Sequence, residues 1–419
     1  MRLRQRRVGS IALTRQGRSS KKALSNITCA IAEGLSHLNV SDWDQLAAGQ
    51  SLFMSRPYLD AVAASGPRDL RNCFGLIYDR EVPVAAIRLQ LLSTRIQPPK
   101  TTDALFVTRD WAGTLAPGSA LIQRSSAGSV ASRKYIICGD FFASGFHGVA
   151  VHPEYRLGAL WPAISAFIQR VQRLEGFVQE RDYVVIKDIA STIESDARAL
   201  RSCQYRRINA SPAMHMEMPD RWKVYEDYLE HLNVRHRMGV YRVTRDLRRA
   251  GFVQRDIVDL EPFSHRMHEL YEGVQRQEGP GTISLPATLI PSLAKTLGKD
   301  GFRCSGYFSG ETLVAFVLTL RDRDAAVCYC LGWDQEKSAG VPLLPALLQT
   351  VISDGLSMGC RRIEFGRSAL KAKAQVGAHP QATETWIRHE GEHVAQSLDR
   401  IVEPLSHSPL LDPALSFKI

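Results

Sequence analysis

The clearest pattern along the chain is an apolar alternation that twice reads as strand, tight polar turn, strand. Tyr78 to Ile87 is YDREVPVAAI and Phe308 to Val317 is FSGETLVAFV. At a constant offset of 230 positions, Glu81 falls on Glu311, Val84 on Val314 and Ala85 on Ala315. Period-two alternation interrupted by a short polar turn is a hairpin signal. A second pair follows: Leu160 to Gln169 (LWPAISAFIQ) matches Leu343 to Ile352 (LLPALLQTVI) at an offset of 183, superposing Pro162 on Pro345 and Ala163 on Ala346. Each reads as a helix after a strand, and each leads into another strand, Tyr183 to Ile189 and Arg361 to Phe365. Two matched elements in one order point to a tandem duplication. The offsets differ by 47, so the first copy carries about that many additional residues between hairpin and helix. The Pro-, Thr-, Ser- and Gly-rich stretch 91–139 is their natural place.

Between the copies, Trp222, Tyr225 and Leu229 recur at helical spacing, as do Val240, Val243 and Leu247. The predicted organisation is a basic, flexible lead-in over 1–39 and a first α/β domain over 40–215, opening on a helix cap at Ser41-Asp-Trp-Asp. An Arg-rich helical connector over 216–252, a second α/β domain over 253–402 and a Pro- and Ser-rich tail over 403–419 complete it.

Charge changes this picture only locally. The chain carries 53 basic and 43 acidic residues, a net +10. Eight of the basic residues lie in the first 22 positions with no acid among them, which leaves 45 basic against 43 acidic elsewhere. The overall basicity is therefore weak evidence for a nucleic-acid partner. The connector is a better candidate. From Arg235 to Arg249 it holds six arginines and one acid, with Arg235, Arg242, Arg245 and Arg249 opposite the apolar stripe and Arg237 nearby. Guanidinium forks suit phosphate oxygens, although a solvated helix face is the plainer alternative. No apolar run approaches the roughly 18 residues a spanning helix needs, and no secretory signal pattern opens the chain; a cytoplasmic protein is expected. The eight cysteines form no C-x-x-C pair or zinc spacing. They read as reduced packing residues, with Cys328 and Cys330 on one face of a strand, and no metal site is expected.

Two motifs point toward chemistry. Val151-His-Pro-Glu-Tyr-Arg-Leu-Gly-Ala resembles the V-x-P-x-x-R strand end of GNAT acetyltransferases, in which a glycine loop and a helix N-terminus hold the CoA pyrophosphate. The resemblance places Arg156 among the phosphate-binding residues, but the glycine pattern is one residue short. The matching place in the second copy, Lys337-Ser-Ala-Gly-Val-Pro342, ends on a proline with no N–H to offer. The second motif is Ile363-Glu-Phe-Gly-Arg-Ser-Ala-Leu-Lys-Ala-Lys-Ala-Gln-Val-Gly-Ala378. It resembles the Fem-like, BioF2-like branch of the GNAT superfamily, where K-x-x-x-G follows an acidic strand; Lys373 and Gly377 fit that spacing, and Ala372 replaces the usual aromatic. The tandem repeat, the arginine-rich helix, and Trp43 followed by Phe53-Met-Ser-Arg-Pro-Tyr58 agree with it. The resemblance covers about residues 40–400.

That resemblance implies two tandem GNAT-like domains with mixed, largely antiparallel sheets. It also implies amide formation, with an aminoacyl group passing from aminoacyl-tRNA to an amine of a small molecule or peptidoglycan-type precursor. Acyl-CoA is the alternative donor, and a GNAT-like nucleic-acid-binding module without turnover is the non-enzyme alternative. No tightly bound cofactor is implied. Lys373 is the expected cation beside the carbonyl oxygen as it gains charge; Glu364 and Asp334 are the acid/base candidates. Tyr329, Trp333 and Arg367 are expected around the substrate, and Arg235, Arg237, Arg242, Arg245 and Arg249 along the donor's phosphates. The plainer alternatives are a surface lysine at 373, a Glu364 paired with Arg361 or Arg362, and a core Tyr329.

Overall fold

The structure, a computed structural model, describes residues 6–11, 26–67, 70–96, 131–175, 183–190, 197–209, 212–278 and 284–389. Two sheets dominate it. The first runs β1 (Arg6–Ile11), β2 (Ile27–Ala32), β3 (Leu70–Asp79), β4 (Val82–Ile96), β5 (Ala131–Cys138), β7 (Tyr183–Ala190), β16 (Thr383–His389), β8 (Arg206–Asn209), with β6 (Val149–Val151) paired to β4. The second runs β10 (Phe252–Asp256), β11 (Phe302–Ser309), β12 (Thr312–Asp322), β13 (Ala325–Trp333), β14 (Arg362–Gly366), β9 (Ala213–Glu217), β15 (His379–Gln381). Among the described residues, only β5–β7 and β13–β14 pair in parallel. The helices are α1 (Val40–Ala47), α2 (Arg56–Ser65), α3 (Leu157–Leu174), α4 (Tyr225–His231), α5 (Val234–Arg249), α6 (Ser264–Glu278), α7 (Leu289–Gly301), α8 (Leu343–Ser357) and α9 (Leu370–Gln375).

The repeat read from the sequence is a structural repeat. In the first hairpin Ile77 opposes Ala85 and Tyr78 opposes Pro83, leaving Val84 as a bulge. In the second, Tyr307 opposes Ala315 and Phe308 opposes Leu313, leaving Val314. The same offset of 230 thus carries the pairing, the bulge and the turn, where Arg80 and Gly310 both sit at φ 60. An inserted residue bends a strand locally, and bulges are built features rather than accidents of pairing. Helices α3 and α8 occupy matching places, each burying its apolar side against its own sheet.

The halves are not independent. β9 follows the first half yet pairs with β14 of the second, while β16 closes the second half yet pairs with β7 and β8 of the first. A central apolar layer is shared: Tyr58, Leu59 and Val62 from α2 join Leu289 and Leu293 from α7, with Phe74 and Phe316 from the facing sheets.

Three sequence expectations change here. β2 lies inside the segment read as a flexible lead-in, and its Ile27, Cys29 and Ile31 are buried. Cys328 and Cys330 do not share a face. Thr319 pairs with Cys328 and Leu318 with Cys330, so Tyr329 is an extra residue that turns Cys330 into the central layer and leaves Cys328 against the α8 side. The domain borders are crossed by the exchanged strands. The tail 403–419, most of the basic lead-in and much of the proposed insertion lie outside the described residues. Among the described residues no helix is long and apolar enough to cross a membrane.

Candidate active site

The first half opens a gap where two of its strands part. β5 pairs with β7 from Tyr135/Tyr183 to Cys138/Ile186, then leaves it through the loop 139–148 and returns along β4 as β6. Gly148 N–H has no Cβ beside it: one would stand 2.6 Å from the Cys138 carbonyl carbon, so the close return requires glycine. On β6, Gly148 O accepts from Arg88 N and His152 N donates to Val84 O. Antiparallel ladders alternate, so the N–H and C=O groups of Val149 and Val151 point the other way, into the gap.

The loop is fixed by buried charges. Asp140 accepts from the backbone of Phe142 at 2.7 Å and Ala143 at 3.0 Å, from the Tyr58 hydroxyl at 2.9 Å, and from the fully buried Arg88. Lys187 Nζ donates to the carbonyls of Asp140 and Ala143. Next to it Asp188 adopts a left-handed φ of 64, an uncommon conformation for a non-glycine residue. It is held there by both terminal nitrogens of Arg367, by Gly145 N–H at 3.1 Å and by Lys187 at 3.0 Å. Burial opposes its charge, yet Arg367 and Lys187 outweigh burial and bring its pKa to about 2. Strain of this kind persists only where the surroundings over-determine it.

The gap continues as a cavity of about 410 Å³, closed on its far side by the second half. Val149, Val151 and Leu157, at the start of α3, line one wall; Asp322, Arg362 and Glu364 line the other. Glu364 lies on β14, whose Ile363 and Phe365 are buried in the α8 core, so strand alternation turns Glu364 to the cavity. Burial pushes its carboxyl up to about 7, with the nearby charges of Glu217 and Asp322 adding to the rise and Arg362 opposing it. Arg362 Nη2 stands 2.8 Å from Glu364 Oε1, while its Nε is buried without a hydrogen-bond partner. A carboxyl poised near 7 can take a proton from an incoming ammonium and release it to water.

At the other end of the same cavity, Ser51 Oγ lies 2.9 Å from His147 Nδ1 and 3.2 Å from Asp322 Oδ2. Asp322 also accepts from Leu52 N–H at 2.7 Å. His147 Nε2 is 2.8 Å from Ser144 O. Burial lowers the His147 pKa despite Asp322 and the Ser144 carbonyl, which favours the neutral ring.

The residues expected from sequence are dispersed by comparison. Glu364 lines the cavity. Arg367 lies behind its wall, bound to Asp188 and to Thr383 Oγ1 at 3.0 Å. Tyr329 is buried beneath it, its hydroxyl 3.1 Å from that of Tyr58. Lys373, 4% exposed on α9, lies near Cys328, whose thiol burial pushes up to about 11 against the opposing Lys373 charge, and is not part of the cavity wall. Asp334 accepts from Arg266 Nη2 at 2.6 Å and from the N–H groups of Glu336 and Lys337; burial raises its pKa, but these partners outweigh it and keep the carboxyl ionised. Trp333 packs against the α8 core. Arg156 is the exposed N-cap residue of α3, one position before the cavity-lining Leu157. On α5, Arg235, Arg242, Arg245 and Arg249 are exposed and Arg237 is half-buried, while Val240 and Leu247 are buried; none of the five lines the cavity. Sequence reading missed Ser51, His147, Asp188 and Asp322. Ser51 and His147 are 96 positions apart and Ser51 and Asp322 are 271 apart, so no local spacing marks them.

Residues 199–374 match the model of the acetyltransferase (GNAT) domain family. No curated protein matches the chain. Among solved structures, FemX is similar over 87% of this chain and 99% of its own, with 9% identity and a TM-score of 0.51. A tandem GNAT protein from the clavulanic acid biosynthesis pathway covers 84% of this chain and 95% of its own, at 13% identity and a TM-score of 0.46. L-PGS from Bacillus licheniformis covers 82% and 96%, at 10% identity and a TM-score of 0.44. Residues 199–374 thus match a GNAT acetyltransferase domain, and the fold of the whole chain, with its duplicated hairpins, parting strands and exchanged edge strands, is similar to that of FemX.

Proposed function

We propose that this protein is an N-acyltransferase that makes an amide bond in the cavity between its halves, with Glu364 as the base. The observation that carries the reading is a buried carboxyl, pushed up to about 7, facing the gap between parted strands. An amine enters as an ammonium, attracted by Glu364 and Asp322. Glu364 takes a proton, the free amine reaches the acyl carbonyl, and the carbonyl oxygen gains charge. The N–H groups of Val149 and Val151 and the guanidinium of the cavity-lining Arg362 are the donors that can meet that charge. Lys373, away from the cavity wall, has no part in this step.

The acyl donor is proposed to be an aminoacyl-tRNA, its phosphates followed by the exposed arginines of α5, and the acceptor an amine of a small molecule or peptidoglycan-type precursor. Acyl-CoA is the second reading, favoured by Leu157: the cavity reaches the N-terminus of α3, where helix N–H groups suit a pyrophosphate. Amide formation assayed with each donor and a panel of amines decides between them. With the productive donor, Glu364→Gln is expected to cut turnover about 100- to 10,000-fold, the usual worth of a general base. Unchanged turnover would remove Glu364 from the chemistry. Binding without turnover for both donors would make the chain a binding module.

A further inference from the structure

The hydrogen-bond count around Ser51 does not close on structural grounds alone. A carbonyl oxygen only accepts, so the 2.8 Å contact to Ser144 O places the proton of neutral His147 on Nε2. Nδ1 is then an acceptor, 2.9 Å from Ser51 Oγ. Asp322 Oδ2 is a second acceptor for the same hydroxyl, at 3.2 Å. One O–H therefore faces two acceptors and can serve either, the nearer being the imidazole nitrogen. Phe53 N–H donates to Ser51 Oγ at 3.2 Å and holds it in place. The Phe53 ring, 4.3 Å from the imidazole, holds the base in turn. Hydroxyl, base within hydrogen-bond reach, and a third group orienting the base form the signature of an activated nucleophile. The constellation opens on the cavity that holds Glu364 and Arg362, so it shares space with the acyl group.

We propose that Ser51 is an acyl-accepting nucleophile, with His147 as its base, and that transfer passes through an acyl-serine ester. This rests on the acyltransferase reading above but adds a covalent step to it. Ser51 Oγ forms a bond to the carbonyl carbon of the donor's ester or thioester, and its proton moves to His147 Nδ1. The bond from that carbon to the donor's oxygen or sulfur breaks, and the leaving group takes the proton from His147 and departs as alcohol or thiol. The amine, freed of its ammonium proton by Glu364, then attacks the serine ester. The C–O bond to Ser51 breaks, and the proton lost by the amine nitrogen returns to Oγ through His147. Nothing is oxidised or reduced. In the absence of an amine, water replaces it and the protein acts as a slow esterase.

The test uses the full-length protein and p-nitrophenyl acetate as the probe. A burst of nitrophenolate equal to one equivalent of protein is expected, with a mass gain of one acetyl group that maps to the peptide holding Ser51. Ser51→Ala should abolish both. His147→Asn should slow the burst about 100- to 10,000-fold, and Ser51→Cys, which keeps a nucleophile, should restore a thioester adduct and so guard against a folding defect in the alanine variant. Absence of any burst or adduct in the wild type, or an adduct that persists at another residue in Ser51→Ala, overturns the proposal. If Ser51→Ala also forms amide at the wild-type rate while Glu364→Gln does not, direct transfer stands and only the covalent step is lost. If neither variant changes amide formation, it is the Glu364 reading that fails.

Discussion

At the scale of single residues, charge pairing decides which groups build the site and which react in it. Asp188 and Arg367 are both nearly inaccessible, and Arg367 spends its fork on the Asp188 carboxylate. Breaking such a pair strands a buried charge, at a cost of about 3–5 kcal/mol. Arg367→Ala is therefore expected to lower the melting temperature sharply, and Arg367→Lys to recover only part of it, because a point charge does not reproduce a bidentate fork. A melting temperature unchanged in Arg367→Ala would show that the left-handed turn at Asp188 holds without its partner. Glu364 is the opposite case. Its ion-pair partner Arg362 does not offset burial, so the carboxyl is left near the pH at which it can exchange protons.

At the scale of elements, α5 is the clearest separable feature. Its arginines project from a helix that buries only Val240 and Leu247, so they add little to packing. A double substitution, Arg242→Ala with Arg249→Ala, is expected to weaken tRNA binding and flatten its salt dependence, since fewer counterions are released per complex. The melting temperature should barely move. Binding that is unchanged would reduce α5 to a solvated face. The elements were also where the sequence was most readable. The hairpin alternation, the proline-bearing helices and their order carried the duplication down to the bulged valines, Val84 and Val314. Glu364 was visible because it lies on a strand that leads into a motif. Other parts were not, for physical reasons. The bulge at Tyr329 breaks the alternation that seemed to align Cys328 and Cys330. Ser51 and His147 meet through the folding of the first half and Asp322 joins them only where the halves close on one another, and nothing near any of them in the chain encodes that meeting. Lys373 had the right spacing but is buried on α9 and does not line the cavity.

At the scale of the whole molecule, the exchanged strands and the shared central layer make the halves one cooperative unit. β9 and β16 each leave their own half, so neither sheet is complete without the other. Thermal unfolding followed by calorimetry is expected to show one transition with equal calorimetric and van't Hoff enthalpies; two separated transitions would mean that the halves fold alone. The same closure sets Glu364, from one half, across the cavity from the parted strands of the other. Because the Glu364 carboxyl is raised, it is protonated and idle below about 7 and ionised above it. Activity that depends on it must rise with pH through that value. The pH profile of kcat/KM for amide formation tests this most directly. The wild type should show a rising limb with a midpoint near 7 that disappears in Glu364→Gln, whose residual rate is flat across the window. A limb that survives unchanged in Glu364→Gln would assign the titration to another group and contradict the account.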